Sequence, residues 1–205
     1  GLFASGGSAA SLMALTAARH ELLSDKTENA VIYCTRETHT CIDRSLFMLG
    51  FGEEQIVKLE SDENLRLPPE ALLAAIAADR SSGKTPFCVV GSGGTTSSGS
   101  IDPLDAIADI CEREGLWFHV DAAFGGGAIL TERGRKLMTG IERAHSIAVD
   151  PHKWLFQPYE CACVLVRPFI GLAPLVGPHD EDRNLGFLHD AVVFAAQPMI
   201  EPAHH

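Results

Sequence analysis

Ser146-Ile147-Ala148-Val149-Asp150-Pro151-His152-Lys153-Trp154-Leu155 is the stretch on which the reading of this chain turns. Ile147 and Val149 alternate with smaller neighbours as in a short buried strand, and Asp150-Pro151 stops it. Lys153 therefore falls just past a strand end, where an amine partly withdrawn from water keeps a lone pair for condensation with an aldehyde. Taken alone, a lysine beside a turn is ordinarily a surface residue. Its neighbours in the sequence change that balance.

Upstream, Leu116-Trp117-Phe118-His119-Val120 is a dense aromatic and β-branched run, followed by Asp121-Ala122-Ala123 and the glycines Gly125-Gly126-Gly127. An aspartate at the mouth of a buried strand is costly without a cationic partner. A protonated pyridine nitrogen is such a partner, and an acid that keeps it protonated lets the ring act as an electron sink.

His119-Val120-Asp121-Ala122-Ala123-Phe124-Gly125-Gly126, with Asp150-Pro151-His152-Lys153-Trp154-Leu155 placing the lysine 32 positions beyond Asp121, resembles the pyridoxal-phosphate-dependent group II decarboxylases. That family includes the aromatic amino acid, glutamate and histidine decarboxylases. The resemblance runs from about Gly1 to Arg167. It implies that Lys153 holds pyridoxal 5'-phosphate as a Schiff base, that Asp121 faces the pyridine nitrogen, and that Ala123 leaves room under the ring. It also implies that Ser146, Asp150 and His152 anchor the phosphate side.

Composition narrows the alternatives. A chain of 205 residues suffices for one α/β domain with a real core. With 16 basic against 27 acidic residues the net charge is −11, which disfavours a nucleic-acid partner. Cysteines 34, 41, 88, 111, 161 and 163 contain no CxxC pair, and four lie in apolar runs, so they read as reduced residues of a cytoplasmic protein. Cys161 and Cys163 share a strand face, but without a nearby histidine pair they make a poor metal site. With neither a signal peptide nor an apolar run of spanning length, the expectation is a soluble protein without a membrane partner.

The remaining elements alternate strand with helix, which predicts a mainly parallel sheet with helices on both faces. Gly6, Gly7 and Ser8 open a helix carrying Leu12, Leu15 and Leu22. A helix start of this kind suits a phosphate, and it serves equally as a plain cap. The G-x-G-x-x-G spacing of a dinucleotide fold is missing. Strands are predicted over Ala30–Cys34, Ile56–Leu59 and Phe87–Val90, and Pro68-Pro69-Glu70 starts a helix. His39 precedes a helix carrying Ile42, Leu46 and Phe47, and in the resembled family the histidine there stacks on the pyridine ring. The string from Gly91 to Ser100 has the composition of a flexible linker. It nevertheless joins a strand to a helix with Asp102 as its N-cap and Pro103 in its first turn, a place where ligands bind in parallel sheets. The family sets a threonine there against the cofactor, and Thr96 takes that place. Glu160–Arg167 follows Lys153 too closely for a helical crossover and is expected to pair antiparallel.

The resemblance implies the large domain of the aspartate aminotransferase-like (type I) fold, incomplete, with residues 1–167 as the cofactor-binding core and 168–205 as a tail of unclear structure. On this resemblance the family's N-terminal segment and small C-terminal domain are expected to have no counterpart in the 205 residues. Neither Tyr33 nor Tyr159 lies in the loop where family members carry a tyrosine thought to protonate the carbanion. The expected function is decarboxylation of an L-amino acid, with a mild aromatic preference from His152 to Val166, in a homodimer. Two alternatives stand beside it. One is another reaction of the same fold, such as an aminotransferase or a carbon-carbon lyase. The other is an inactive fragment that self-associates, for which the apolar run 190–200 is a candidate surface. His204-His205 reads as a disordered end rather than a metal site.

Overall fold

The computed structural model describes residues 1–167; the tail, the apolar run 190–200 and His204-His205 lie outside the described residues. One sheet holds β1 (Leu2–Ala4), β2 (Ala30–Thr35), β3 (Ile56–Leu59), β4 (Thr85–Ser92), β5 (Trp117–Asp121), β6 (Ser146–Val149) and β7 (Ala162–Val166), in the order β1-β7-β6-β5-β4-β2-β3. The pairs from β3 through β6 are parallel, whereas β7 runs antiparallel to both β6 and β1. This is the mainly parallel α/β architecture the alternation predicts. The β6–β7 pairing follows from a connection too short for a crossover helix. The strand β1 has no signature in the sequence, because it is three residues long with Leu2 and Phe3 exposed.

The helices are α1 (Gly7–Leu23), α2 (Cys41–Met48), α3 (Pro69–Ser81), α4 (Leu104–Glu114), α5 (Glu132–Leu137) and α6 (Pro151–Trp154). The strand β2, between β4 and the edge strand β3, is buried along its whole length, which requires cover on both sides. Its alternation shows how that cover is arranged. Val31 and Tyr33 pack with Leu72 and Ile76 of α3 and Leu104 and Ile107 of α4. Ile32 and Cys34 point the other way, toward Leu15 and Ala18 of α1 and Ile42 and Leu46 of α2. Each such side chain, fully buried, contributes about 1.5–3 kcal/mol. The resulting three-layer body fixes the strand ends relative to one another.

One expected local feature is different. Asp102 does not cap α4, which begins at Leu104 without any side-chain cap. The carboxylate instead accepts backbone N–H bonds from Leu67 and Ser92, at 2.8 and 2.7 Å. Two buried donors from separate segments outcompete the first-turn amides of α4 for the same acceptor.

Candidate active site

In a parallel sheet all strands deliver their C-terminal ends to one rim, and loops leaving that rim build the ligand crevice. Here the ends of β4, β5 and β6, with the N-terminus of α1, surround a cavity of about 290 Å³. Its lining includes Gly6, Gly7, Ser8, His39, Thr96, Asp121, Ala123, Asp150, His152 and Lys153. These come from five stretches of chain well separated in sequence.

Lys153 sits in the single turn of α6, which Pro151 starts directly after β6. Its Nζ lies 2.9 Å from Asp150 Oδ2, and the lysine side chain keeps 33% of its surface exposed against 2% for the aspartate. The amine is thus an ion-paired group at the cavity edge rather than one withdrawn from water. The other oxygen of Asp150, Oδ1, is buried without a hydrogen-bond partner among the described residues. Gly7 accounts for the close fit on that side: a Cβ there would lie 2.8 and 2.9 Å from the two Asp150 oxygens and 3.0 Å from the Ala123 Cβ. The helix α1 therefore begins against the carboxylate, and its N-cap Gly6 has φ +94°, a conformation suited to glycine. No side chain caps α1, so the Gly7 and Ser8 N–H groups at its start are available to an anion, whereas the Ala9 N–H turns back to the Gly6 carbonyl at 3.1 Å.

His152 is fixed by a reciprocal pair with Cys161: its Nδ1 accepts the Cys161 N–H at 2.9 Å, and its own N–H reaches the Cys161 carbonyl at 3.3 Å. With Nδ1 accepting, the proton of the neutral ring sits on Nε2, which faces Asp150 Oδ2 at 3.7 Å. The Tyr159 ring packs on His152 with centroids 4.8 Å apart.

Asp121 ends β5 and accepts the Ala123 N–H at 3.1 Å. Desolvation raises its carboxyl above the usual aspartate range, and Lys153 and His39 act in the opposite sense. A cation placed against it would bring it back down. His39 lies two residues before α2, exposed, with Nδ1 accepting the Cys41 N–H at 3.2 Å. The loop after β4 brings Ser92, Gly94, Thr95 and Thr96 to the cavity. It meets the loop after β5 backbone to backbone, since a Cβ on Gly125 would overlap the Gly93 carbonyl oxygen and lie 2.8 Å from Gly94 Cα.

Ser146 is the exception among the expected site residues. It opens β6 at the opposite end from Asp150, buried, accepting from Trp117 Nε1 at 2.8 Å and paired with His119 Nδ1 at 2.9 Å. Four residues of strand carry the chain about 13 Å, so a residue at the start of β6 cannot reach the rim. Sequence reasoning also passed over Ser92, Thr95, Cys41, Phe124, Tyr159 and Glu160, all of which line the cavity. Thr95 and Thr96 are adjacent and alike in type, yet Thr95 is buried with its hydroxyl on Ser98 Oγ at 2.7 Å, while Thr96 is exposed. Phe124 was detectable as an aromatic directly after Asp121-Ala122-Ala123; its ring stands edge-on to Trp154 with centroids 6.0 Å apart.

The mainly parallel sheet with a lysine and an aspartate on one rim fits the aspartate aminotransferase-like architecture, which the solved structures of relatives share. The model of the pyridoxal-dependent decarboxylase conserved domain matches residues 1–172. The aromatic-L-amino-acid decarboxylase of Bacillus atrophaeus is 50% identical over 167 residues, covering 82% of this chain and 35% of that protein. The cysteine sulfinic acid decarboxylase of Mus musculus is 38% identical over 174 residues, with coverage of 82% and 35%. Among solved structures, that of Oryza sativa TDC with PLP superposes with a TM-score of 0.80 at 30% identity, covering 96% of this chain and 45% of that one. The chain belongs to the pyridoxal-dependent decarboxylase family, whose cofactor is pyridoxal phosphate. It spans about a third of the length of the curated relatives it matches. Among the described residues no helix is long and apolar enough to cross a membrane, and no cluster of His, Cys, Asp or Glu could hold a metal ion.

Proposed function

We propose that this chain supplies the cofactor-holding core of a pyridoxal-5'-phosphate-dependent L-amino-acid decarboxylase, with Lys153 as the amine that condenses with the cofactor's aldehyde. The observation that carries the reading is the placing of Lys153, Asp121 and the uncapped start of α1 around one cavity. These are an amine, a carboxylate and an anion site, the three groups that a phosphorylated pyridine aldehyde needs. When bound, the cofactor supplies a sink for the electron pair released at the substrate's α-carbon.

The roles follow from chemistry and position. Gly6, Gly7 and Ser8 receive the phosphate on backbone N–H groups at the positive end of the α1 dipole. Asp121, raised by desolvation, gains most from a pyridinium partner and holds the ring nitrogen protonated. Ala123, His39 and Thr96 line the same cavity and would hold the ring, Ala123 by leaving room for it, His39 by offering a flat face and Thr96 by a hydroxyl contact. His152 presents Nε2–H to the phosphate side. Asp150 can only accept while ionised, so its part is to hold Lys153 rather than to donate to phosphate. Breakage of the α-carboxylate bond rather than another bond at that carbon is the reaction of the family, and the 50% identity to the Bacillus enzyme supports an aromatic substrate. By the same resemblance the working form is a homodimer.

Titration with pyridoxal phosphate tests the assignment. A visible absorbance band should form with the chain and be lost in Lys153→Ala; a band unchanged in that variant removes the lysine from its role. Carbon dioxide release from a panel of amino acids supports decarboxylation, and a ketoacid product in its place would assign an aminotransferase.

A further inference from the structure

The loop after β4 supplies a wall of the cavity, yet its composition, Gly93-Gly94-Thr95-Thr96-Ser97-Ser98-Gly99-Ser100, has little to hold it in one shape. Its tip is held by the Thr95 hydroxyl on Ser98 Oγ at 2.7 Å and by the Gly99 N–H on the Thr95 carbonyl at 2.9 Å, and its base is closed where its two ends meet. Asp102 N–H donates to the Ser92 carbonyl at 3.0 Å, and Asp102 Oδ2 accepts the Ser92 N–H at 2.7 Å, so one residue engages both backbone groups of the other. A bridge between Gly93 and Ile101 continues this closure, and Thr95 N–H to the Ser100 carbonyl, at 3.0 Å, completes it. The second oxygen, Oδ1, accepts the Leu67 N–H at 2.8 Å and so ties the segment before α3 to the same point. Asp102 is only 3% exposed. Burial pushes its carboxyl up to about 6 while the two N–H donors act the other way, as for an acid kept in place for what it accepts.

We propose that Asp102 is a positioning residue for the cavity: its carboxylate clamps the base of the 92–102 loop and thereby sets where Ser92, Gly94, Thr95 and Thr96 face the ligand. A neutral amide cannot replace it, because both oxygens are used by N–H donors and an asparagine offers one oxygen and one NH₂. The clamp stands on geometry alone, and its consequence for pyridoxal phosphate rests on the function proposed above.

Two measurements on Asp102→Asn separate the parts. Amide hydrogen exchange read without cofactor should rise tenfold or more over residues 92–101 and at Leu67, with 117–121 and 146–149 unchanged. Affinity for pyridoxal phosphate, from the absorbance titration, should fall tenfold or more. Ser100→Ala, which removes only the 2.6 Å bond from Ser100 Oγ to the Leu65 carbonyl, should leave that affinity within twofold. If Asp102→Asn does not fold, Asp102→Glu, which keeps both acceptors, should fold and hold residues 92–101 near wild-type exchange. Exchange at 92–101 unchanged in a folded Asp102→Asn overturns the clamp, and faster exchange with unchanged affinity overturns its link to the cavity. A wild-type chain that takes up no pyridoxal phosphate bears instead on the proposed function, and the exchange measurement still decides the clamp.

Discussion

Gly7→Ala provides a direct test of the close contact between α1 and the lysine's partner. The added methyl would lie 2.8 and 2.9 Å from the Asp150 oxygens and 3.0 Å from the Ala123 Cβ, so the carboxylate, the helix or both must shift by a few tenths of an ångström. Overpacking of that kind costs about 1–3 kcal/mol. Alanine is a better helix former than glycine by up to about 1 kcal/mol, less at the first helical position, so the net loss should be roughly 0–3 kcal/mol. Stability alone is therefore a blunt readout, and a double-mutant cycle with Asp150→Ala sharpens it. Truncating the aspartate removes both oxygens that the methyl meets, so the two substitutions should couple by about 0.5–3 kcal/mol in denaturant unfolding. In the Asp150→Ala background the cost of Gly7→Ala should shrink, with only the 3.0 Å approach to the Ala123 Cβ left to relieve. Gly6→Ala is the contrasting case: nothing lies within 4 Å of its Cβ, and its cost comes only from φ +94°. That cost, about 1–3 kcal/mol for a backbone at φ +94°, ψ 160°, should be the same with or without Asp150. Additive Gly7 and Asp150 effects, within about 0.5 kcal/mol, would refute the contact as the reason for glycine at position 7.

Gly125→Ala should be the more severe glycine substitution, because its methyl meets Gly93 and Gly94 backbone rather than a side chain that can turn away. A loss of more than about 3 kcal/mol, or failure to fold, is expected in chemical unfolding; a variant of near wild-type stability would mean that the two loops separate freely. His119 gives a pH dependence. Burial lowers its folded pKa from 6.5 to about 4, so above 6.5 the ring is neutral in both states, and as pH falls the unfolded chain takes up a proton that the folded chain refuses. The gap of about 2.5 pH units, at ~1.4 kcal/mol each, makes a loss of about 3 kcal/mol between pH 6.5 and 4. His145, also lowered to about 4, acts in the same window, and Asp102, raised to about 6, acts against it. Unfolding free energies across this range should fall less steeply in His119→Gln, and an unchanged slope would exclude His119 as a source.

Features written in the local sequence were legible there. The apolar runs ending at Asp121 and Asp150, the proline starting α3 and the short connection before β7 fixed sheet, layers and rim. What escaped depended on contacts distant in sequence or on length along a strand. Asp102-Pro103 has the form of a helix start, but the amides of Leu67 and Ser92 claimed the carboxylate. Ser146 was placed with Asp150 by the family resemblance, although four residues of strand put it about 13 Å from that end of β6 and outside the cavity lining. The choice between Thr95 and Thr96 turned on which hydroxyl found Ser98, and no periodicity encodes that. The strand β1 exists only because β7 offers it an edge.

The cavity draws on residues 6–8, 92–96, 121–124 and 150–153, so no local segment contains it and it is a property of the finished sheet. A ligand that binds there holds the first helix and three consecutive strands together at once. Occupancy is then linked to global unfolding rather than to the fraying of a loop, and free ligand at 100 times its Kd would add about 2.7 kcal/mol to the stability of the whole body. The same dependence sets an order of events during synthesis: the pocket is incomplete until β6 has docked beside β5, which requires the chain through Lys153 to have been assembled.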